Sequence, residues 1–271
     1  MMAASTAATT GDERRAEPEA TVLRADDVAV HFGGVKAVDG VSITLTAGRI
    51  FGVLGPNGSG KSTLLAALTR LVPLTRGRLE FQGKPYDTVR PHTIAARGVA
   101  RTFQTVRILP GRTVFDNVAL GAESAGRPGS IGRAGKAERG RVRQRVRTAI
   151  ERTGLSGKER HRPDELSYGY QRRVEIARAI ASEPTLLLLD EPTAGMNRQE
   201  RDDITGLLDD LRGEGLTQLL IEHDVQMMVE ACDHLFAMNF GELIADGEPE
   251  SVVRHPAVQE AYLGTQGRAH A

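Results

Sequence analysis

The sequence predicts an α/β fold with a mainly parallel central sheet and an inserted helical block. Three observations predict it. First, residues 49–54 and 186–189 form short apolar runs, the second of four leucines, as in parallel strands covered on both faces. Second, helical and apolar strand-like segments alternate after residue 163, the pattern of a parallel sheet with crossover helices. Third, the texture changes between about residues 85 and 163. Arg, Gly and Ala become frequent there and strand-like runs fade, which marks an insert in the α/β core.

The bulk properties set outer limits. A chain of 271 residues is long enough for a full α/β core with a smaller subdomain. Lys and Arg total 35, and so do Asp and Glu, so overall charge gives no argument for nucleic acid as a partner. Cys232 is the single cysteine, which excludes an intrachain disulfide and suits a reducing compartment. The first 20 residues lack an apolar core of signal-peptide length and are expected to form a disordered lead. No apolar window approaches the roughly 18 residues of a membrane span, so any membrane role is expected to be peripheral.

Taken in order, residues 22–31 and 41–46 alternate apolar and polar as half-buried strands do. The apolar run 49–54 leads into a glycine loop. Residues 62–71 follow as a helix with Leu64, Leu65, Leu68 and Leu71 at helical spacing. Residues 78–82 and 98–102 read as strands and 113–121 as a helix. The Gly- and Arg-rich stretch 126–140 reads as a loop, and 137–153 as a helix with Val142, Val146, Ala149 and Ile150 on one face. The core resumes with a helix at 170–181, the leucine strand, a helix at 199–212, a strand at 217–221 and a helix at 225–231. A hairpin of 234–238 and 242–246 ends the pattern, and residues 266–271 form a tail.

One basic run stands apart. Arg127, Arg133, Lys136, Arg139, Arg141, Arg143, Arg145 and Arg147 face a single acid, Glu138. It reads either as a solvated helix face or as a surface near anionic lipid headgroups. No aromatic side chains interleave with these charges, which disfavours nucleic acid.

The chemistry begins at GPNGSGKS, residues 55–62, which fits G-x-x-x-x-G-K-[ST]. Gly55, Gly58 and Gly60 permit backbone N–H groups to approach phosphate oxygens, with Pro56, Asn57 and Ser59 between them. Lys61 is expected to reach the outer phosphates and Ser62 to ligate Mg²⁺, with Thr63 next on a helix whose positive end faces the anion. LLLLDEP, residues 186–192, ends a strand in two carboxylates. Asp190 is placed to hold Mg²⁺ through water or through Ser62. Glu191 projects further and is placed to orient or deprotonate an attacking water.

Three residues complete the candidate site. His223, after the strand 217–221, sits where a neutral imidazole could hydrogen-bond a γ-phosphate, or else cap the next helix beside Asp224. Gln104, in RTFQ, could reach Mg²⁺ or the lytic water, or else lie on the surface. Phe32, in HFGG, could stack on a purine or belong to the core.

In this order, these pieces resemble the ATP-binding subunit of ABC transporters over about residues 22–264. Residues 55–62 match the Walker A loop, Gln104 the Q-loop, and LSYGYQ at 166–171 the signature. Residues 186–191 match Walker B, 194–197 the D-loop, His223 the switch histidine, and Phe32 the adenine-stacking aromatic. HFGGVKAVDGVS, ARTFQTVRILPGRTVFDNV, LSYGYQRRVEIARA and HPAVQEAYLG look closest to the ATPases of branched-chain amino-acid importers. Tyr168, Tyr170 and Asn197 depart from the common signature and D-loop patterns.

The resemblance implies a P-loop NTPase of the ABC ATPase class. Its expected parts are a mainly parallel sheet, an N-terminal antiparallel β subdomain and an α-helical subdomain inserted at about residues 85–163. It implies ATP and Mg²⁺ as ligands, and Ser167 with the Gly169 backbone completing the ATP site of an opposing ATPase subunit. Further implied partners are two transmembrane permease subunits, against which residues 104–117 would sit, and indirectly a solute-binding protein. The chain would then work on the cytoplasmic face of the membrane, powering uptake of branched-chain amino acids. Amides, urea or lipopolysaccharide remain alternative cargo. A soluble ABC-type ATPase of repair or translation would need a long heptad insertion or a second ATPase domain, and this chain has neither. A purely structural nucleotide-binding module does not suit a chain that keeps both Glu191 and His223.

Overall fold

The computed structural model describes residues 20–124 and 136–266. The N-terminal lead, part of the 126–140 loop with Arg127 and Arg133 of the basic run, and most of the tail therefore lie outside the described residues.

Two sheets share the chain. β1 (Thr21–Phe32) and β2 (Val35–Thr46) form an antiparallel pair around the Gly33–Gly34 turn. After β3 (Ile50–Leu54) and α1 (Lys61–Leu68), β4 (Arg76–Phe81) pairs antiparallel with β1, and β5 (Lys84–Pro85) ends that sheet in the order β2-β1-β4-β5. The expected antiparallel β subdomain is this sheet.

The chain then returns to the second sheet. β6 (Val99–Arg101) precedes α2 (Val114–Ser124), α3 (Lys136–Arg152) and α4 (Tyr168–Ile180). β7 (Leu186–Asp190), α5 (Arg198–Gly213), β8 (Thr217–Ile221) and α6 (Val225–Ala231) follow. β9 (His234–Asn239), β10 (Glu242–Gly247), α7 (Pro249–Arg254) and α8 (Pro256–Gln266) complete it. The strand order is β10-β9-β3-β8-β7-β6, parallel throughout except at the antiparallel edge strand β10.

The leucine strand behaves as its pattern predicts. Leu187 and Leu189 face one core cluster with α4 and α5, and Leu186 and Leu188 face a second one between the two sheets. β3 divides the same way, with Ile50 and Leu54 on one side and Phe51 and Val53 on the other. At its centre a Cβ on Gly52 would fall 2.4 Å from Met228 Cε and 2.8 Å from Cys232 Sγ, so α6 packs directly on the strand backbone.

Within the block that begins at about residue 85, the strand read at 98–102 precedes the helices. Val99–Arg101 pairs in parallel with 186–188 as an edge strand of the central sheet. The strand read at 98–102 is therefore present, one residue shorter at each end. α7 and α8 escaped the sequence pattern, because each buries only part of one face against the core.

Candidate nucleotide site

The carboxyl ends of four adjacent strands supply the site. β3 delivers the glycine loop, β8 His223, β7 the two carboxylates and β6 the segment with Gln104.

Sterics fix the loop. Gly55 has φ +154°, and a Cβ there would lie 2.3 Å from the Met238 carbonyl oxygen and 2.5 Å from Ser59 Oγ. Gly60 has φ +104°, and a Cβ would meet the Ala37 carbonyl oxygen at 2.2 Å. Only glycine fits both positions. The loop is tied down by Ser59 N–H to Pro56 O (3.1 Å) and Gly241 N–H to Ser59 O (3.0 Å). Above it lies a cavity of about 430 Å³, lined by 35–37, 57–63, Glu191 and Phe240.

Lys61 begins α1 and is largely buried. Its ammonium donates to Gly55 O (2.6 Å) and Pro56 O (3.0 Å). Burial lowers its pKa, while Glu191 and Asp190 act in the opposite sense. Ser59 Oγ is buried without a hydrogen-bond partner and lines the same cavity. An orphaned hydroxyl, a lysine and a helix N-terminus around a glycine cradle fit a polyphosphate.

The carboxylates are held by neighbours that the sequence reading did not assign. Asp190 Oδ2 pairs with Arg101 at 2.8 Å, both side chains nearly buried. Glu191 stands at φ +46°, an unusual backbone for a non-glycine residue and of the kind concentrated at functional sites. Its Oε2 accepts from the Gln104 amide at 2.8 Å, so Gln104, although exposed, is engaged in the site. Glu222 Oε1 accepts from Thr193 N–H (2.8 Å) and Thr193 Oγ1 (2.7 Å), fixing the turn beyond Glu191. Glu222 lies beside His223 in IEHD, and an acid directly after the apolar strand run was its sequence signal.

His223 follows β8 at the same sheet edge, its ring 62 % exposed and outside the cavity lining. It does not cap α6. Asp224 does, accepting from Met227 N–H at 3.1 Å. Phe32 is 51 % exposed, which excludes a core role, and it too lies outside the lining. The aromatic ring in the cavity wall belongs to Phe240, 79 % exposed at the β9–β10 turn.

Ser167 is the exposed N-cap residue of α4 and makes no side-chain cap bond. Gly169 is buried against Glu200. Neither lines the cavity of its own chain. Tyr168 and Tyr170 are partly exposed, and the Lys158 ammonium sits 4.4 Å from the Tyr170 ring centre. Asn197 caps α5, accepting from Glu200 N–H at 3.0 Å, a role that Asn and Asp fill equally well.

Beneath the signature, Arg172 is fully buried and paired with Glu175 at 2.6 Å. It also donates to Phe103 O (2.7 Å) and Gln104 O (2.8 Å), so α4 holds the backbone that carries Gln104. The i,i+3 spacing of Arg172 and Glu175 was the available signal for this pair.

Comparison with known proteins decides the family. The model of the ABC transporter family matches residues 38–194, and that of a branched-chain amino acid ATP-binding cassette transporter segment matches 242–267. The chain belongs to the ABC transporter ATP-binding family. It is 35 % identical over 251 residues to the high-affinity branched-chain amino acid transport ATP-binding protein BraF of Pseudomonas aeruginosa, covering 90 % of this chain and 98 % of that one. It is 34 % identical over 249 residues to LivG of Escherichia coli K12, with the same coverage. Among solved structures, a nucleotide-free ATP-binding cassette from an ABC transporter superposes with a TM-score of 0.80 at 33 % identity, covering 89 % of this chain and 98 % of that one. The ADP conformation of the cassette MJ1267 gives 0.79 at 33 %, covering 90 % and 99 %. As an ABC ATPase, the chain binds nucleotide and hydrolyses ATP.

Proposed function

We propose that this ABC ATPase powers uptake of branched-chain amino acids from the cytoplasmic face of a membrane. Two ATPase subunits would work with two permease subunits and, indirectly, a solute-binding protein. The observation that carries the cargo is the match at residues 242–267, which lies outside the catalytic motifs. Identity over the ATPase domain does not sort cargo by itself. The methionine import protein MetN of Geobacillus kaustophilus is 39 % identical over 227 residues, although the chain covers only 64 % of that protein.

The site's chemistry follows from its contacts. Residues 55–63 hold the phosphate chain through backbone N–H groups and Lys61, which exchanges loop carbonyls for phosphate oxygens. Ser62, Gln104 and Asp190, with phosphate oxygens and water, are the oxygen donors that suit Mg²⁺. The metal would neutralise charge developing on the phosphate oxygens. Asp190 is drawn on by both Arg101 and the metal site. Glu191 takes the proton of the attacking water, and His223 hydrogen-bonds the γ-phosphate.

Ser167 is exposed, and neither it nor Gly169 lines the chain's own cavity, which supports their serving the opposing subunit's ATP. A dimeric bacterial ABC transporter cassette superposes with a TM-score of 0.71 at 25 % identity, covering 84 % of this chain and 98 % of that one. Among the described residues no helix is long and apolar enough to cross a membrane, so attachment would run through the permease subunits.

The test is reconstitution. The chain, copurified with its membrane subunits and placed in proteoliposomes, is assayed for ATP turnover with the solute-binding protein present. Leucine, isoleucine or valine should stimulate turnover and accumulate inside. Stimulation by lipid alone, or by an amide or urea but not by these amino acids, overturns the cargo assignment.

A further inference from the structure

The hydroxyl of Tyr262, on α8, accepts the backbone N–H of Gly55 at 3.0 Å. The two residues are 207 positions apart, and Gly55 opens the phosphate loop. Its carbonyl is held from the other side by Lys61 at 2.6 Å. Gly55 is thus gripped at both polar atoms, by a lysine that phosphate also needs and by a tyrosine that it does not.

We propose that Tyr262 is a positioning residue for nucleotide binding, and that the seating of α8 sets how well the loop grips phosphate. Lys61 has three N–H donors and spends two on loop carbonyls. The more it gives to phosphate oxygens, the less it holds Gly55, and the more Tyr262 becomes the remaining restraint. The hydroxyl therefore weighs more with nucleotide bound than without. Burial raises the phenol pKa, so the oxygen stays a neutral acceptor across the working range.

The seat of α8 leaves the helix room to move. A cavity of about 350 Å³ separates it from the end of β3 and from α6 and α7, lined by Leu54, Val225, Val253, Val258, Gln259 and Tyr262. Leu54 is the residue before Gly55, so this cavity underlies the loop itself. If a seated α8 tightens nucleotide binding, bound nucleotide must tighten α8 by the same factor, because coupling between binding equilibria is reciprocal.

The inference rests on nucleotide binding at the phosphate loop and not on the cargo. It is tested on the purified full chain with a fluorescent ATP analogue and Mg²⁺. In Tyr262→Phe, which keeps the ring and removes the acceptor, affinity should fall about five- to tenfold and KM for ATP rise with it, kcat changing less than about twofold, as when a buried donor loses its partner. Hydrogen exchange on the unmodified chain gives the reciprocal readout. Adding nucleotide should slow the amides of α8 together with that of Gly55. Unchanged affinity in Tyr262→Phe, a lowered melting temperature with unchanged affinity, or α8 amides indifferent to nucleotide would each overturn the proposal. Failure of the unmodified chain to bind the analogue would overturn the site assignment as well, and so is distinguishable from failure of the Tyr262 role.

Discussion

The Gln104 amide nitrogen donates to Glu191 Oε2 across 2.8 Å, joining the segment after β6 to the carboxylate after β7. The carboxylate proposed to take a proton from water is thereby tied to the residue whose backbone α4 holds through Arg172. Whatever moves that backbone also alters the one carboxylate oxygen that Gln104 occupies.

Replacing Glu191 by Gln removes the proposed proton acceptor and keeps the shape. Phosphate release at saturating ATP should fall about 10²- to 10⁴-fold, the usual weight of a general base, with ATP affinity retained. Unchanged turnover would show that another group takes the proton.

Arg172 and Glu175 are both fully buried, at 0 % and 1 % side-chain exposure. Arg172→Met leaves the Glu175 charge only the longer Arg178 contact, at 3.8 Å, and should cost about 3–5 kcal/mol in urea unfolding. Adding Glu175→Leu should recover much of that loss, because the stranded charge disappears. Strict additivity of the two substitutions would mean that the pair is not coupled.

Acid stability offers a third check. The Lys36 hydrogen bond, helped by His31 and Arg76 and opposed by desolvation, holds the Asp39 carboxyl well below its ordinary 3.8, at about 2. Its folded pKa is depressed, so its stabilising effect is present above 3.8 and is lost as pH falls toward about 2. Asp39→Asn should flatten the urea midpoint across that interval. Some slope remains, since the Arg76 hydrogen bond lowers Asp27 as well. An unaltered slope would remove Asp39 from the account. Lys36 lines the nucleotide cavity, so the variant should also be checked for ATP affinity.

Most of the architecture was legible where side-chain periodicity or glycine chemistry speaks in short windows. The leucine strand, the glycine loop and the helix after it were of this kind. Phe240 and Tyr262 were not legible. The first approaches the cavity through the β9–β10 turn and the second through a helix some 200 residues from the loop, and neither distance leaves a local pattern. Arg101 and Arg172 were hidden for another reason. Charged residues read as surface by default, and only burial reveals that their heads serve Asp190 and the Phe103 and Gln104 carbonyls. His223 was placed at the right edge of the sheet by topology alone, and only the Asp224 bond shows that it does not cap α6.

The edge position of β6 has a geometric consequence. Neighbouring strands stand about 4.8 Å apart, so β6 lies roughly 14 Å from β3, with β8 and β7 between them. The order of motifs in space, loop then His223 then carboxylates then Gln104, is a permutation of their order along the chain. Gln104 bonds Glu191 one strand over, and Glu191 in turn lines the cavity above the glycine loop, two strands further. Disturbance entering at the rim of the sheet reaches the Glu191 carboxylate first, and the phosphate cradle only after it.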